Sequence, residues 1–273
     1  MSVSRIKTIT IAALVLVNVF FMTVIVIDSI ADARSERLAV EDACAVLRLN
    51  GINISPENVR SVGALRTMRT ERGHEAEEAI ARAVLGPVEM TDMGVIFRYE
   101  GAQSGTAEFY SAGGFDIWLN EGIITNTKGT LRTVQSLLRD MKIETSELLL
   151  SGESGSEVVI AVVAYKGVSI FNCMIEFAFN GESLEAITGR YATGIEVAED
   201  GATISSAGTA LLGVLAAVKR EELESTEIKR VEAGYQFLSG LFGEGVIAPA
   251  WLITTDTGQY MLSDTTGDIE FVQ

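Results

Sequence analysis

The sequence predicts an α+β protein with an N-terminal transmembrane helix, followed by helices packed on curled antiparallel sheets in two or three helix-plus-meander units. Three observations carry this prediction. Residues 9–27 contain no charged side chain. Beyond them, apolar spacing of helical period gives way to period-two alternation three times over. Short Gly-, Asn- and Asp-rich turns separate the alternating runs, which marks them as antiparallel neighbours.

In the first stretch, ITIAALVLVNVFFMTVIVI, 13 of the 19 residues are Leu, Ile, Val or Phe. At helical rise this covers about 28 Å, close to the hydrocarbon thickness of a bilayer. At about −0.3 to −0.6 kcal/mol for each of those residues, insertion gains roughly 4–8 kcal/mol before polar residues are counted. Arg5 and Lys7 precede the stretch, and Asp28 and Asp32 follow it. The positive-inside bias therefore assigns residues 1–8 to the cytoplasm and everything from 28 onward to the outer face. A cleaved signal peptide is the rival reading, with Ala31-Asp32-Ala33 as its small-x-small site, but the apolar run exceeds the 7–15 residues usual for a secretory core. Asn18 lies at the centre of the run. Its carboxamide either bonds a partner helix within the lipid or is tolerated through local water; both readings stand.

The chain has 273 residues, 48% apolar and 21% charged, with a mean hydropathy of +0.29, a formal charge of −16 and a pI near 4.5. Residues 1–33 carry two charges of each sign, so the whole negative excess belongs to residues 34–273. A field of that sign repels phosphate backbones and argues against nucleic-acid binding. Cys44 and Cys173 form no metal or redox motif, and each fits an apolar stripe. That favours two buried free thiols over one disulfide.

The elements follow in order. Residues 35–50 read as a helix capped by Ser35 and stopped by Asn50-Gly51, with Leu38, Ala45 and Leu49 on one face. A linker at Ser55-Pro56-Glu57 leads into a strand near Ser61–Thr70, and His74–Leu85 is a helix ended by Gly86-Pro87. Val95, Phe97 and Tyr99 then begin a three-strand meander that turns at Gly101–Gly105 and Ala112–Gly114. Leu131, Val134, Leu137, Leu138 and Met141 mark a second helix. The polar stretch 151–157 reads as a loop, Val158–Ala164 as a strand, and Val168–Phe179 as a strand with Phe171, Cys173, Ile175, Phe177 and Phe179 on one face. Asn180-Gly181 is a hairpin signal. Ser205-Ser206 opens a third helix through Leu211, Leu215 and Val218, and the acidic run 221–224 is a solvated bend. Strands then fill Ser225–Phe237, Val246–Thr255, Gln259–Ser263 and Asp268–Val272.

No catalytic pattern emerges. The one histidine, His74, begins a helix beside Glu75, Glu77 and Glu78 as a solvated cap residue. A single histidine disfavours zinc sites and triads. Gly240, Gly243 and Gly245 lie between strands, where they form a turn and not a phosphate cradle. Asp256, Asp264 and Asp268 lack the spacing of a calcium loop, and Asn53-Ile54-Ser55 is only a formal glycosylation sequon. No pair of acids stands out for glycosidase chemistry. Catalysis is not expected, and neither is a cofactor or a metal.

Three stretches carry a family resemblance. The first is the basic start, the apolar helix with central Asn18-Val19-Phe20-Phe21, and the following helix ending in Leu49-Asn50-Gly51-Ile52. The second is Lys166-Gly167-Val168-Ser169-Ile170-Phe171-Asn172-Cys173 with Leu184-Glu185-Ala186-Ile187-Thr188-Gly189-Arg190-Tyr191. The third is Ala248-Pro249-Ala250-Trp251-Leu252-Ile253 with Gly258-Gln259-Tyr260-Met261 and Thr266-Gly267-Asp268-Ile269. Together they resemble the YycI/YycH group of extracytoplasmic regulators of Gram-positive bacteria, in a clostridia-like form, and the ending resembles a PepSY-type hairpin. The resemblance implies a non-enzymatic, single-pass membrane protein that modulates a sensor histidine kinase of the WalK/YycG type controlling cell-wall metabolism, with a paralogous YycH-like protein as a further partner. It supplies no catalytic residues.

The expected layout is thus a cytoplasmic tail over 1–8, a membrane helix over 9–27, and two extracytoplasmic α+β domains over 28–125 and 126–273. Asn18 is the candidate contact within the membrane. Trp251 and Tyr260 read first as hairpin and core residues and second as ectodomain contacts. Two other functions stay open: a PepSY-like inhibitor or chaperone of an extracellular peptidase, in which an edge strand pairs with a client, and a cell-envelope hydrolase.

Overall fold

In the computed structural model the described residues are 32–272 apart from 154, 199–200 and 241–242, together with positions 14, 18 and 20–22. The expected class needs correction. Instead of helices on separate curled antiparallel sheets, the chain builds one mixed sheet of fifteen strands, with 45% of residues in strands and 26% in helices. No helix among the described residues is long and apolar enough to cross a membrane. The helix expected over 9–27 falls largely outside the described residues; Leu14, Asn18 and Phe20–Met22 are helical and exposed.

The sheet has two halves. One comprises β3 (Val88–Asp92), β4 (Ile96–Gly101), β5 (Gly105–Tyr110), β6 (Gly114–Leu119), β7 (Thr145–Glu153), β8 (Ser156–Tyr165), β9 (Val168–Asn180) and β10 (Ser183–Arg190). All of its pairings are antiparallel, as period-two alternation and tight turns dictate. Helices α2 (His74–Leu85) and α3 (Thr130–Asp140) cover its inner face through Ile80, Val84, Val134 and Leu138.

The other half comprises β1 (Val59–Arg60), β2 (Met68–Glu71), β11 (Glu196–Val197), β12 (Ile228–Ser239), β13 (Glu244–Thr255), β14 (Gln259–Ser263) and β15 (Ile269–Phe271). Helices α1 (residues 32–49) and α4 (Ala207–Lys219) belong to this half. They approach closely at Gly208, where a Cβ would lie 3.1 Å from that of Ala39. The buried stripe of α1 is Val40, Ala43, Cys44 and Leu47, the spacing of one helical face. The face expected inside points outward, and Leu49 is 87% exposed. Two apolar stripes were available, and the one through Val40 and Leu47 is the one buried. The strand expected near Ser61–Thr70 is likewise corrected: only β1 and β2 are strands there, with 61–67 irregular between them.

The halves join where β12 runs parallel to β9, with Tyr235 opposite Ile170. Two residues further, the next parallel position is filled by a side chain. The Asn172 carboxamide donates to the Phe237 carbonyl at 2.8 Å and accepts from the Phe237 N–H at 2.8 Å. At this point β9 slips against β8, from Ala164 opposite Ser169 to Val162 opposite Met174. The slip turns Phe171 out of the row of Cys173, Ile175, Phe177 and Phe179 and into a separate cluster with Ala250 and Met261. Its ring lies over Gly234, where a Cβ would come within 2.4 Å of it. Arg72 adds a second joint. It follows β2 and pairs with Glu77 of α2 at 2.6 Å, donates to the Phe109 carbonyl of β5 at 2.8 Å and lies over the Phe97 ring.

Substituting Asn172→Ala leaves both polar groups of Phe237 without their partner. At about 1–3 kcal/mol for each unsatisfied group, urea unfolding should show a loss of about 2–6 kcal/mol, against less than about 1 kcal/mol for Asn120→Ala at an exposed turn. Equal losses would remove the seam from its structural role. A second expectation concerns alkali. Burial, then hydrogen bonding to Asp116, pushes the Tyr110 hydroxyl from 10.0 up to about 12, and burial does the same for Tyr99. The unfolded chain loses these protons first, so stability should hold below about pH 10 and fall as pH rises towards about 12. Tyr110→Phe should flatten that fall in pH-dependent urea titrations.

Candidate functional site

The first two turns of α1 stand beside two cavities. Asp32, Ser35, Glu36 and Ala39 border one of about 510 Å³, and Ala33, Arg37, Val40 and Glu41 border another of about 520 Å³. The two sets occupy adjacent helical faces, and Glu36 and Ser61 touch both cavities. Both volumes fall in the range of small-molecule sites. By contrast, the cleft beside the Arg72–Glu77 pair holds about 20 Å³, room for a water and no more.

The first cavity, open to solvent, is bordered also by the irregular segment Ser61–Ala64, by Thr203–Ser206 ahead of α4, and by Ala233 and Trp251 of the β12–β13 hairpin. No Lys, Arg or His lines it, while Asp32 and Glu36 do. Ahead of α4, Asp264 accepts from the Ser205 N–H at 2.8 Å and from its hydroxyl, and the Ser206 hydroxyl caps the helix by accepting from the Thr209 N–H. Trp251 is 1% exposed, and its indole N–H has no hydrogen-bond partner among the described residues. A buried donor left in that state costs about 1–3 kcal/mol, and among the described side chains it is the one buried nitrogen or oxygen without a partner.

The residues singled out in the sequence are placed as follows. Trp251 is buried at the cavity wall. Tyr260 is buried on the neighbouring β14, with its ring edge against Phe271 at 5.3 Å and its hydroxyl 3.3 Å from that of Thr257. Asn18 is exposed, and most of the residues around it lie outside the described ones. His74 starts α2, half exposed, with its ring 4.3 Å from that of Phe97. Asp256 is held well below the usual carboxylate range by the hydroxyls of Ser225 and Thr226, and thus serves as a turn anchor. Among the described residues no group of three His, Cys, Asp or Glu side chains is placed to hold a metal. The sequence reading missed the cavity itself, because its walls come from four segments spread over residues 32–251.

No family model matches the chain, and no curated protein is similar to it. Among solved structures, an uncharacterized protein from Eubacterium rectale ATCC 33656 is similar in fold, with a TM-score of 0.50 at 9% identity, over 77% of this chain and 87% of that one. At that identity the likeness speaks to the fold alone.

Both cysteines are buried and unpaired. Burial pushes the Cys173 thiol up to about 12 and raises that of Cys44 as well. Neither thiol should react with a disulfide reagent at about pH 8 while the chain is folded, and two equivalents should react in denaturant. Cys44 should react before Cys173, because only α1 has to lift for its exposure. Early labelling of Cys173 in native buffer would contradict this placement.

Proposed function

We propose that the chain is a membrane-held, non-enzymatic regulator that binds a sensor histidine kinase controlling cell-wall metabolism, of the WalK/YycG type, through contacts in the membrane and outside it. The uncharged run over 9–27 supports the membrane attachment, with the folded body on the outer face. The family resemblance supports the kind of partner. One structural observation carries the mechanism: α1, the element that follows the apolar run, has buried residues only from Val40 onward, while its first two turns lie beside open cavities. A helix held at one end and unsupported at the other transmits displacement between the body and the segment before it.

A second reading is favoured by β7. This nine-residue strand pairs on one side only, with β8, and exposes Leu149 and Leu150. Such an edge fits a client strand of a peptidase held by β-augmentation.

Co-purification from membranes separates these. Under the first reading the full chain brings down a histidine kinase and a chain lacking residues 1–33 does not. Asn18→Leu should weaken that association by about 3- to 30-fold, the value of one hydrogen bond between helices in lipid. Recovery of a peptidase that resists the truncation but is lost with Leu149→Lys would favour the second. A kinase yield unchanged by both Asn18→Leu and the truncation would overturn the proposal.

A further inference from the structure

We infer that the chain forms a two-fold dimer in which β7 pairs antiparallel with β7 of a second copy, centred on Leu149. The dimer stands apart from the kinase proposal and competes with the client-strand reading for one edge.

Three observations select this occupant. The first is the backbone. β7 is an edge strand of nine residues, and among the described residues its outward N–H and C=O groups have no partner. It carries no Lys, Arg or Pro, the residues that commonly guard such an edge. The second is where the core stops. Leu148 and Leu150 stand opposite Ala161 and Val159, which are fully buried on the face that α2 and α3 cover. Leu150 is nevertheless 50% exposed, so the core runs out to the edge and ends uncovered. A pairing centred on Leu149 carries it across, because Leu148 of each copy then faces Leu150 of the other. Leu149 meets its own counterpart on the opposite face of the sheet.

The third observation is charge. Two-fold antiparallel pairing must set one residue opposite itself, because successive residues turn their backbone groups to opposite edges. Centring on Leu150 would oppose Glu147 to Glu153, and centring on Leu148 would oppose Glu147 to Leu149. Centring on Leu149 opposes Glu147 to Ser151 and brings no like charges face to face. Of the three leucine-centred registers, this one makes the strand complementary to itself.

Glu147, Leu149 and Ser151 are all exposed, so a cysteine at any of them leaves the core intact. Directly opposed residues have Cα atoms about 4.5–5.5 Å apart, within disulfide reach, whereas the two Ser151 positions would lie about 13 Å apart. In the full chain oxidised with copper-phenanthroline, Leu149→Cys should give a covalent dimer about tenfold faster or more than Ser151→Cys alone. Co-expressed Glu147→Cys and Ser151→Cys chains should link to each other and not to themselves. The unsubstituted chain, with both thiols buried, should give no dimer. The Leu149→Cys link should survive Asn18→Leu, because it is made outside the apolar run. Leu149→Cys that fails to link, that links no faster than Ser151→Cys, that loses its link with Asn18→Leu, or that links instead to a protein other than this chain would each overturn the dimer.

Discussion

The two halves of the sheet meet at a single backbone bridge, and the carboxamide of Asn172 holds that meeting closed. A parallel ladder between β9 and β12 would need both strands to run straight past each other, but β9 is committed to β8 and β10 along most of its length. It can spare only Ile170 for β12, and its backbone turns aside at the next position. There Asn172 presents one donor and one acceptor in a plane, which is what a neighbouring peptide group would have offered to Phe237. The slip that makes this possible also throws Phe171 to the opposite face, and Gly234 is the position where a side chain would block it. Around the bridge, Arg190 donates to Ser239 and lies over the Phe237 ring, while Arg72 ties the end of β2 to α2 and β5. The pair Arg72–Glu77 is buried, so its value lies in fixing the angle of the halves as much as in net stability.

Much of the local structure was legible in the sequence. His74–Leu85 is bounded by the Gly and Pro that stop it, the stripe from Leu131 to Met141 falls on α3, and Asn180-Gly181 makes the hairpin it announces. These signals are short-range, because caps and tight turns are decided within a few residues. The sheet as a whole was not legible. Parallel contacts such as β1 with β12 and β12 with β9 join segments 60 or more residues apart, and alternation says nothing about which strand lies alongside. Strand β7 was read in part as loop because its polar edge, from Ser151 to Glu153, looks like a turn. On α1 the sequence offers two apolar stripes, and which of them is buried is decided by packing against distant parts of the chain. The cavity belongs to the same class of feature: its polar groups come from separate segments, and the unpartnered state of Trp251 is a property of its neighbours.

The position of α1 links these features to the proposed role. Full burial of Val40 and Leu47 contributes about 1.5–3 kcal/mol each, and Ala43 and Cys44 add less, so the hold on this helix is of the order of a few kcal/mol. Binding in the micromolar to millimolar range delivers about 4–8 kcal/mol. The two quantities are comparable, which is the condition for one equilibrium to bias another. The carboxamide of Asn172 ties the two halves of the sheet beside their backbone bridge, while the short buried stripe of α1 is a hold that a few kcal/mol is enough to shift.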